Sequence, residues 1–383
     1  MRNRQVPWIS LRMLTGDRVK YFGLIFGIAF STLLIGQQAT LFTNLMLRAA
    51  SGVFAVSEAD IWVMDPKAQG TDATLALPST ALQRVRGVPG VLWAVPHLRE
   101  AGSVRTAEGA LERVSVVGVD DATLVGLPTT IVEGARQNLF RRDAIMVDTV
   151  GFQKIFPGAV SGSGRELELN DRRALIVGRV DTNPGFTAGV IFYTRYSSAL
   201  GFVPGTRNRM TFVIAKAAPG EDPDEVARRI AERTGLKARG RRDWVWDNIR
   251  FIASSTGIPF NFGITVLLGI IVGVAIVGLT FSLFIRDNIK QFGALKAIGV
   301  TNWGILKMVL TQSLWIAVIG YGLGAAFTAL FIWGTSGASQ FKGFFLPGEI
   351  MVGVAVLVFV MVILTGIFAV RGVLKLEPAE VFR

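Results

Sequence analysis

Four apolar runs of membrane length divide this chain one against three. They are Tyr21 to Leu47, Gly263 to Ile285, residues 305–334 and Leu346 to Val370. A helix rises about 1.5 Å per residue, so the second run reaches about 34 Å, enough to cross a hydrocarbon core of about 30 Å. In lipid every backbone N–H and C=O must be paired within the segment, and helices achieve this. Residues 48–262, between the first run and the second, have the hydropathy of a soluble domain. The chain is therefore expected to fold as a polytopic α-helical membrane protein with four transmembrane helices and a large α+β extracytoplasmic domain between helices 1 and 2.

The short polar segments set the expected orientation. Residues 1–20 carry Arg2, Arg4, Arg12, Arg18 and Lys20 against Asp17 alone, with Val6, Ile9, Met13 and Leu14 at helical spacing. That pattern predicts a basic helix lying in the headgroup layer. The 286–304 connector carries Arg286, Lys290 and Lys296 against Asp287, with Lys307 just beyond, and the tail over 371–383 carries Arg371 and Lys375. Basic residues in short loops mark the cytoplasmic side. Both termini and the connector are then inside; the domain and the short loop over 335–345 are outside. The same logic explains the formal net charge of +12 without nucleic acid as a partner.

Little in the chain suggests catalysis. Cysteine is absent and His97 is the only histidine, which leaves no disulfide framework, no Cys-based metal site and no triad. No Gly-x-Ser-x-Gly, His-Glu-x-x-His or Gly-x-x-x-x-Gly-Lys-Ser/Thr occurs. Asp120–Asp121 follows a strand and reads as a pair of solvated turn carboxylates. Ser161-Gly-Ser-Gly164 reads as a flexible tip, since a strand follows it where a phosphate cradle needs a helix N-terminus. The chain is expected to bind no metal and no cofactor and to be no enzyme.

The domain's elements are partly legible. Ile61–Met64 reads as a strand ending at Asp65-Pro66, Val88–Pro96 as a strand between prolines, and Leu111–Val119 as another. Leu167–Leu169 and Ala174–Val177 flank a hairpin turn, and Met210–Lys216 is a further strand. Asp222 and Pro223 begin a helix that stops at Gly235, with a strand returning over Leu236–Arg239. The domain divides into two parts, about Leu75–Asp120 with the later strands and helix, and about Ile131–Ala199.

Inside the spans, Gly23/Gly27, Gly269/Gly273 and Gly320/Gly324 have the spacing that permits close helix packing, within a subunit or between two copies. No span carries a formal charge at its centre, as a proton- or ion-coupled carrier would need, so energy is expected from elsewhere. The connector places Ile289, Phe292, Leu295 and Ile298 on one helical stripe. So apolar a stripe on an aqueous helix calls for a partner groove or the membrane surface.

This layout resembles the FtsX/MacB-type (type VII) ABC transporter permeases. Lys290-Gln-Phe-Gly-Ala-Leu-Lys-Ala-Ile-Gly299 resembles that family's cytosolic signature, with Gln291 where the family often has Glu. Leu376-Glu-Pro-Ala-Glu-Val-Phe-Arg383 is similar to its terminal motif. Val88-Pro-Gly-Val91 through Pro96, then the strand to Asp120, resembles its periplasmic domain. Within the family the chain is most similar to DevC-type permeases, which lack a fused ATPase. The resemblance implies a homodimer in the bacterial inner membrane that binds a separate ABC ATP-binding subunit carrying ATP and Mg. Docking would involve Ile289, Lys290, Phe292, Gly293, Leu295, Lys296, Ile298, Gly299, Glu377 and Pro378. It further implies a periplasmic membrane-fusion (adaptor) protein and a TolC-like outer-membrane channel, through which an amphiphilic substrate is expelled. The alternative within the same fold is an FtsX-like regulator that drives an extracytoplasmic enzyme such as a cell-wall hydrolase.

Overall fold

The structure is a computed structural model that describes residues 12–73, 75–106, 109–186, 189–203, 209–338 and 341–374. Two compact units emerge, one of residues 1–44 and 257–383, the other of residues 45–256.

Helix α1 runs unbroken from Arg18 to Arg48, with its last turn in the second unit. Asp17 caps its start, accepting from the Lys20 amide at 3.2 Å, one of the four donors a helix N-terminus leaves unpaired.

The second unit is an α+β domain. Its elements in chain order are α2 (Ser51–Phe54), β1 (Ile61–Met64), β2 (Leu77–Pro78), α3 (Thr80–Arg86), β3 (Val91–Arg105), β4 (Leu111–Val119), β5 (Ile131–Glu133), β6 (Ala144–Asp148), α4 (Thr149–Ile155), β7 (Glu166–Leu169), β8 (Arg172–Val180), β9 (Ile191–Arg195), α5 (Tyr196–Phe202), β10 (Arg209–Met210), β11 (Phe212–Ala217), α6 (Pro223–Thr234), β12 (Lys237–Gly240) and α7 (Arg241–Ser255). The main sheet has the order β12-β1-β11-β3-β4-β9-β6-β8-β5, with β7 pairing both β3 and β8.

Strand β3 joins the two halves. Its first part, Val91–His97, pairs with β11, and its second, Leu98–Arg105, pairs with β4. Proline cannot donate to a ladder and is normally excluded from central strands. Here Pro96 lies before the β4 pairing begins, where β3 has one neighbour, so the strand passes through the proline that the sequence reading treats as its end. One half packs β1, β11 and the start of β3 against α3 and α6 around Ile61, Val85, Val213 and Ile230. Its other face packs Trp62, Phe212 and Trp244. The second half buries Ile145, Phe152, Ile176 and Phe192.

Local chemistry explains several elements. Asp222 accepts from the Asp224 amide at 3.2 Å, Pro223 occupies the first turn, and Gly235 ends α6 at φ 68°. Asn170 and Asp171 turn β7 into β8 at φ 47° and 60°, the left-handed pair that matches hairpin twist. Helix α7 escapes the sequence reading. Trp244 and Asn248 are its fully buried residues, and two positions one turn apart leave little apolar period to detect. His97 is buried edge-on to Trp62 at 5.6 Å between ring centroids. Burial, with the Arg99 charge nearby, pushes its pKa down to about 3, so it packs as a neutral ring.

Among the described residues the first unit holds four helices long and apolar enough to cross a membrane: α1, α8 (Ile258–Asp287), α10 (Asn302–Thr335) and α11 (Gly348–Leu374), with the short α9 (Ile289–Ala297) between α8 and α10. The six paired glycines all face helices of the same subunit. A Cβ at Gly23 would lie 3.8 Å from Thr280 of α8, and one at Gly27 2.5 Å from Ile276. Gly269 and Gly273 of α8 return the contact to Ile35 and Ser31, and the Ser31 hydroxyl donates to the Gly269 carbonyl at 2.8 Å. Gly320 and Gly324 of α10 lie against Ile28 and Thr32, with added Cβ atoms 2.6 and 2.5 Å from those side chains. Such approach lets backbones and small polar groups meet where lipid supplies no hydrophobic drive. Asn44 adds a polar clamp: its amide nitrogen donates to the Phe345 carbonyl at 2.8 Å, and the Phe345 amide donates back to Asn44 Oδ1 at 3.1 Å.

Candidate coupling site

The connector expected as one helix over 286–304 is three pieces. Helix α8 ends at Asp287, α9 covers Ile289–Ala297, and α10 begins at Asn302. Gly299 makes the second break. It sits at φ 94°; its amide donates to Lys296 O at 2.9 Å and the Val300 amide to Leu295 O at 3.0 Å. This crossed pair is a Schellman closure, which needs a left-handed residue and hence glycine. Two residues on, the Thr301 hydroxyl accepts from the Gly304 amide at 3.2 Å and starts α10.

The apolar stripe divides under burial. Phe292 is fully buried in the bundle core with Leu14, Phe284 and Ile305, and Gly293 is buried beside it. Leu295 packs partly on the same core, and Ile289 and Lys296 are half-buried. Ile298 is 72% exposed. Phe292 and Gly293 therefore anchor α9 and are not free to meet a partner, a change from the sequence reading. Their core neighbours come from the segment before α1, from α8 and from α10, contacts that helical periodicity cannot reveal.

The open face of the connector carries Lys290, Gln291, Ile298 and Gly299. It continues with Trp303, 61% exposed, over whose ring the Lys307 ammonium lies at 5.6 Å. The structure adds Trp303 and Lys307 to the expected docking residues. A tryptophan beside basic residues was the available signal. Glu377 and Pro378 lie outside the described residues.

A second feature secures the start of the connector. Lys20 of α1 bonds Asp17 at 2.6 Å and also Asp287 at the end of α8. The lysine holds the Asp17 carboxyl below the usual carboxylate range. Each aspartate is the sole acid of a basic segment, which was the sequence signal for this pairing. A hollow of about 550 Å³ opens beside it, lined by Arg12, Asp17, Asp287, Asn288 and Gln291 among others. The arrangement is an anchored helix, pinned at one end by a charge cluster, with an exposed aromatic and cationic rim.

Residues 263–378 match the family of FtsX-like permease C-terminal domains. Residues 21–233, more than half of the chain, match the MacB-like periplasmic core domain. The chain belongs to the ABC transporter permeases of the MacB/FtsX type. An uncharacterized ABC transporter permease of Methanocaldococcus jannaschii is 23% identical over 189 residues, 47% of this chain and 47% of that protein. The permease thus spans about half the length of that curated relative. Among solved structures, the extracellular domain of the noncanonic ABC-type transporter YknZ from Gram-positive bacteria is 14% identical with a TM-score of 0.35. It covers 48% of the permease and 98% of that chain. The periplasmic region of MacB from Actinobacillus actinomycetemcomitans is 11% identical with a TM-score of 0.37, covering 50% and 92%.

Proposed function

We propose that the permease is the transmembrane subunit of an ABC exporter and takes its energy from a separate ATP-binding subunit, which carries the ATP and Mg. It works as a homodimer in a bacterial inner membrane, with both termini in the cytoplasm and the large domain in the periplasm. Nucleotide-driven closure of the ATPase pushes on the connector. The motion passes to the periplasmic domain, which works with an adaptor and an outer-membrane channel to expel an amphiphilic substrate. The observation that carries this reading is the anchored connector: Phe292 fixes α9 in the bundle while Ile298 and Trp303 stay exposed.

The test uses the exposed rim. Ile298 and Trp303 are mostly exposed, so with Ile298→Asp or Trp303→Asp the permease should insert and purify normally. Each should reduce co-purification of a co-expressed ATP-binding subunit by about tenfold, as loss of a hot-spot contact does. Retention of the ATPase at the unmodified level in both variants would refute docking on this rim. Phe292→Asp is unsuitable for this purpose, because a charge in the bundle core disrupts the fold itself.

A further inference from the structure

We propose that α8 and α11 form a binding site for an anionic phospholipid, with one acyl chain in a groove between the helices and the headgroup phosphate held by Arg286 and Arg371. The groove has a volume of about 580 Å³, within the range of small-molecule sites. On α8 its wall includes Ile270, Val274, Gly278 and Ser282, a row at four-residue spacing along one helix face, with Leu279 beside it. Gly278 lets α11 come close at the groove floor: an added Cβ would lie 3.3 Å from Thr365 Cγ2. On α11 the opposing wall includes Leu364 and Phe368. Val274, Leu364 and Phe368 are 42%, 50% and 60% exposed, so this wall faces out of the bundle.

Both helices lie among the membrane-length segments, so acyl chains are the medium around this groove. What distinguishes it from an ordinary lipid-facing furrow is its mouth. The next position in the α8 row after Ser282 is Arg286, exposed in the last turn. On α11 the last turn holds Arg371, whose guanidinium lies over the Phe368 ring at 4.4 Å. Among the described residues neither arginine has an ion-pair partner. Two guanidinium groups at the bilayer surface, one turn beyond an apolar groove, match a phosphate ester whose chain runs back into the groove. The occupant is thus a phospholipid of the leaflet on the connector side.

Full-length permease in mild detergent should be titrated with phosphatidylglycerol and with phosphatidylcholine of identical chains, and bound lipid counted by native mass spectrometry. Retention of phosphatidylglycerol should exceed that of phosphatidylcholine by about thirtyfold, the scale of two arginines at a membrane surface. Arg286→Gln with Arg371→Gln should bring the ratio to about one, leaving the apolar grip intact. Gly278→Leu should lower retention of both lipids. Leu364→Trp fills the groove from its outward wall and should do the same where Gly278→Leu fails to fold. Equal retention of the two lipids by the unmodified protein would overturn the proposal, as would a preference that survives loss of both arginines. Displacement of the lipid by millimolar inorganic phosphate would assign the arginines to free phosphate, and also overturn it. A shift from dimer to monomer in Gly278→Leu with lipid retention unchanged would make the groove a seam between copies instead.

Discussion

Each of the two units of the permease coheres internally, and by opposite means. The membrane unit depends on atoms that are absent: at Gly27, Gly320 and Gly324 a single added Cβ would lie 2.5–2.6 Å from a side-chain carbon of a neighbouring helix. The domain depends on atoms that are present, with Trp62, Phe212 and Trp244 buried together. The difference follows from solvent. Around the domain, water drives large apolar groups inward. In a bilayer the chains outside are as apolar as those inside, so helices gain from close contact and small hydrogen bonds, such as that from Ser31 to Gly269 at 2.8 Å.

This contrast predicts that enlarging a residue is worst in one unit and truncating one is worst in the other. Gly324→Leu carries the largest expected effect. Its Cβ alone would sit 2.6 Å from the Ala29 backbone carbonyl as well as against Thr32, and backbone cannot rotate away. The α1–α10 contact should open, read as loss of monodisperse protein on size exclusion in detergent. A normal profile and melting temperature would break the comparison. Truncation is the matching test in the domain. Trp62→Ala should cost about 3–5 kcal/mol, as large core aromatics do. Trp62 packs edge-on to Phe212 at 5.2 Å, so the loss should appear as earlier exposure of domain peptides in hydrogen exchange, with the spans unaffected.

Legibility in the sequence follows the same division. The spans are long, uniform and apolar, and helix pairing was legible as glycine spacing, though spacing alone left open which helices met. In the domain, the Asp222-Pro223 start, the Gly235 stop and the Asn170–Asp171 turn were readable because each is local chemistry within a few residues. Contacts made across the chain were not. Phe292 reads as an exposed stripe residue until Leu14 and Ile305 close over it. Ser161–Gly164 reads as a flexible tip until Glu133, some thirty residues earlier, reaches it. Trp303 lies on the same stretch of sequence but outside the expected docking set, because its exposure depends on where Gly299 breaks the helix.

The Ser161–Gly164 loop supplies the smallest and sharpest of these tests, since a carboxylate holds it in addition to the close approach of Gly162 to Phe152. The Glu133 carboxylate accepts from the Ser161 hydroxyl at 2.7 Å and from the Gly162 and Ser163 amides at 3.1 and 2.9 Å. Arg179 pairs with it at 2.6 Å. Burial opposes the charge, but those hydrogen bonds outweigh burial and bring the pKa from 4.5 down to about 2. A pKa depressed in the folded state stabilises above the unfolded value, and the contribution disappears as pH falls through the folded one. The stabilisation should therefore be complete above about pH 4.5 and lost towards about pH 2, by up to about 3 kcal/mol at 1.36 kcal/mol per unit. Amide protection over residues 161–165, corrected for intrinsic exchange, should drop by up to about a hundredfold across that interval. Glu133→Gln keeps the shape but removes the charge, so its protection should be lower at neutral pH and flat across the same window. Parallel pH profiles for the two proteins would mean that packing, and not the carboxylate, holds the loop, and the domain would then be stabilised by apolar contact there as well.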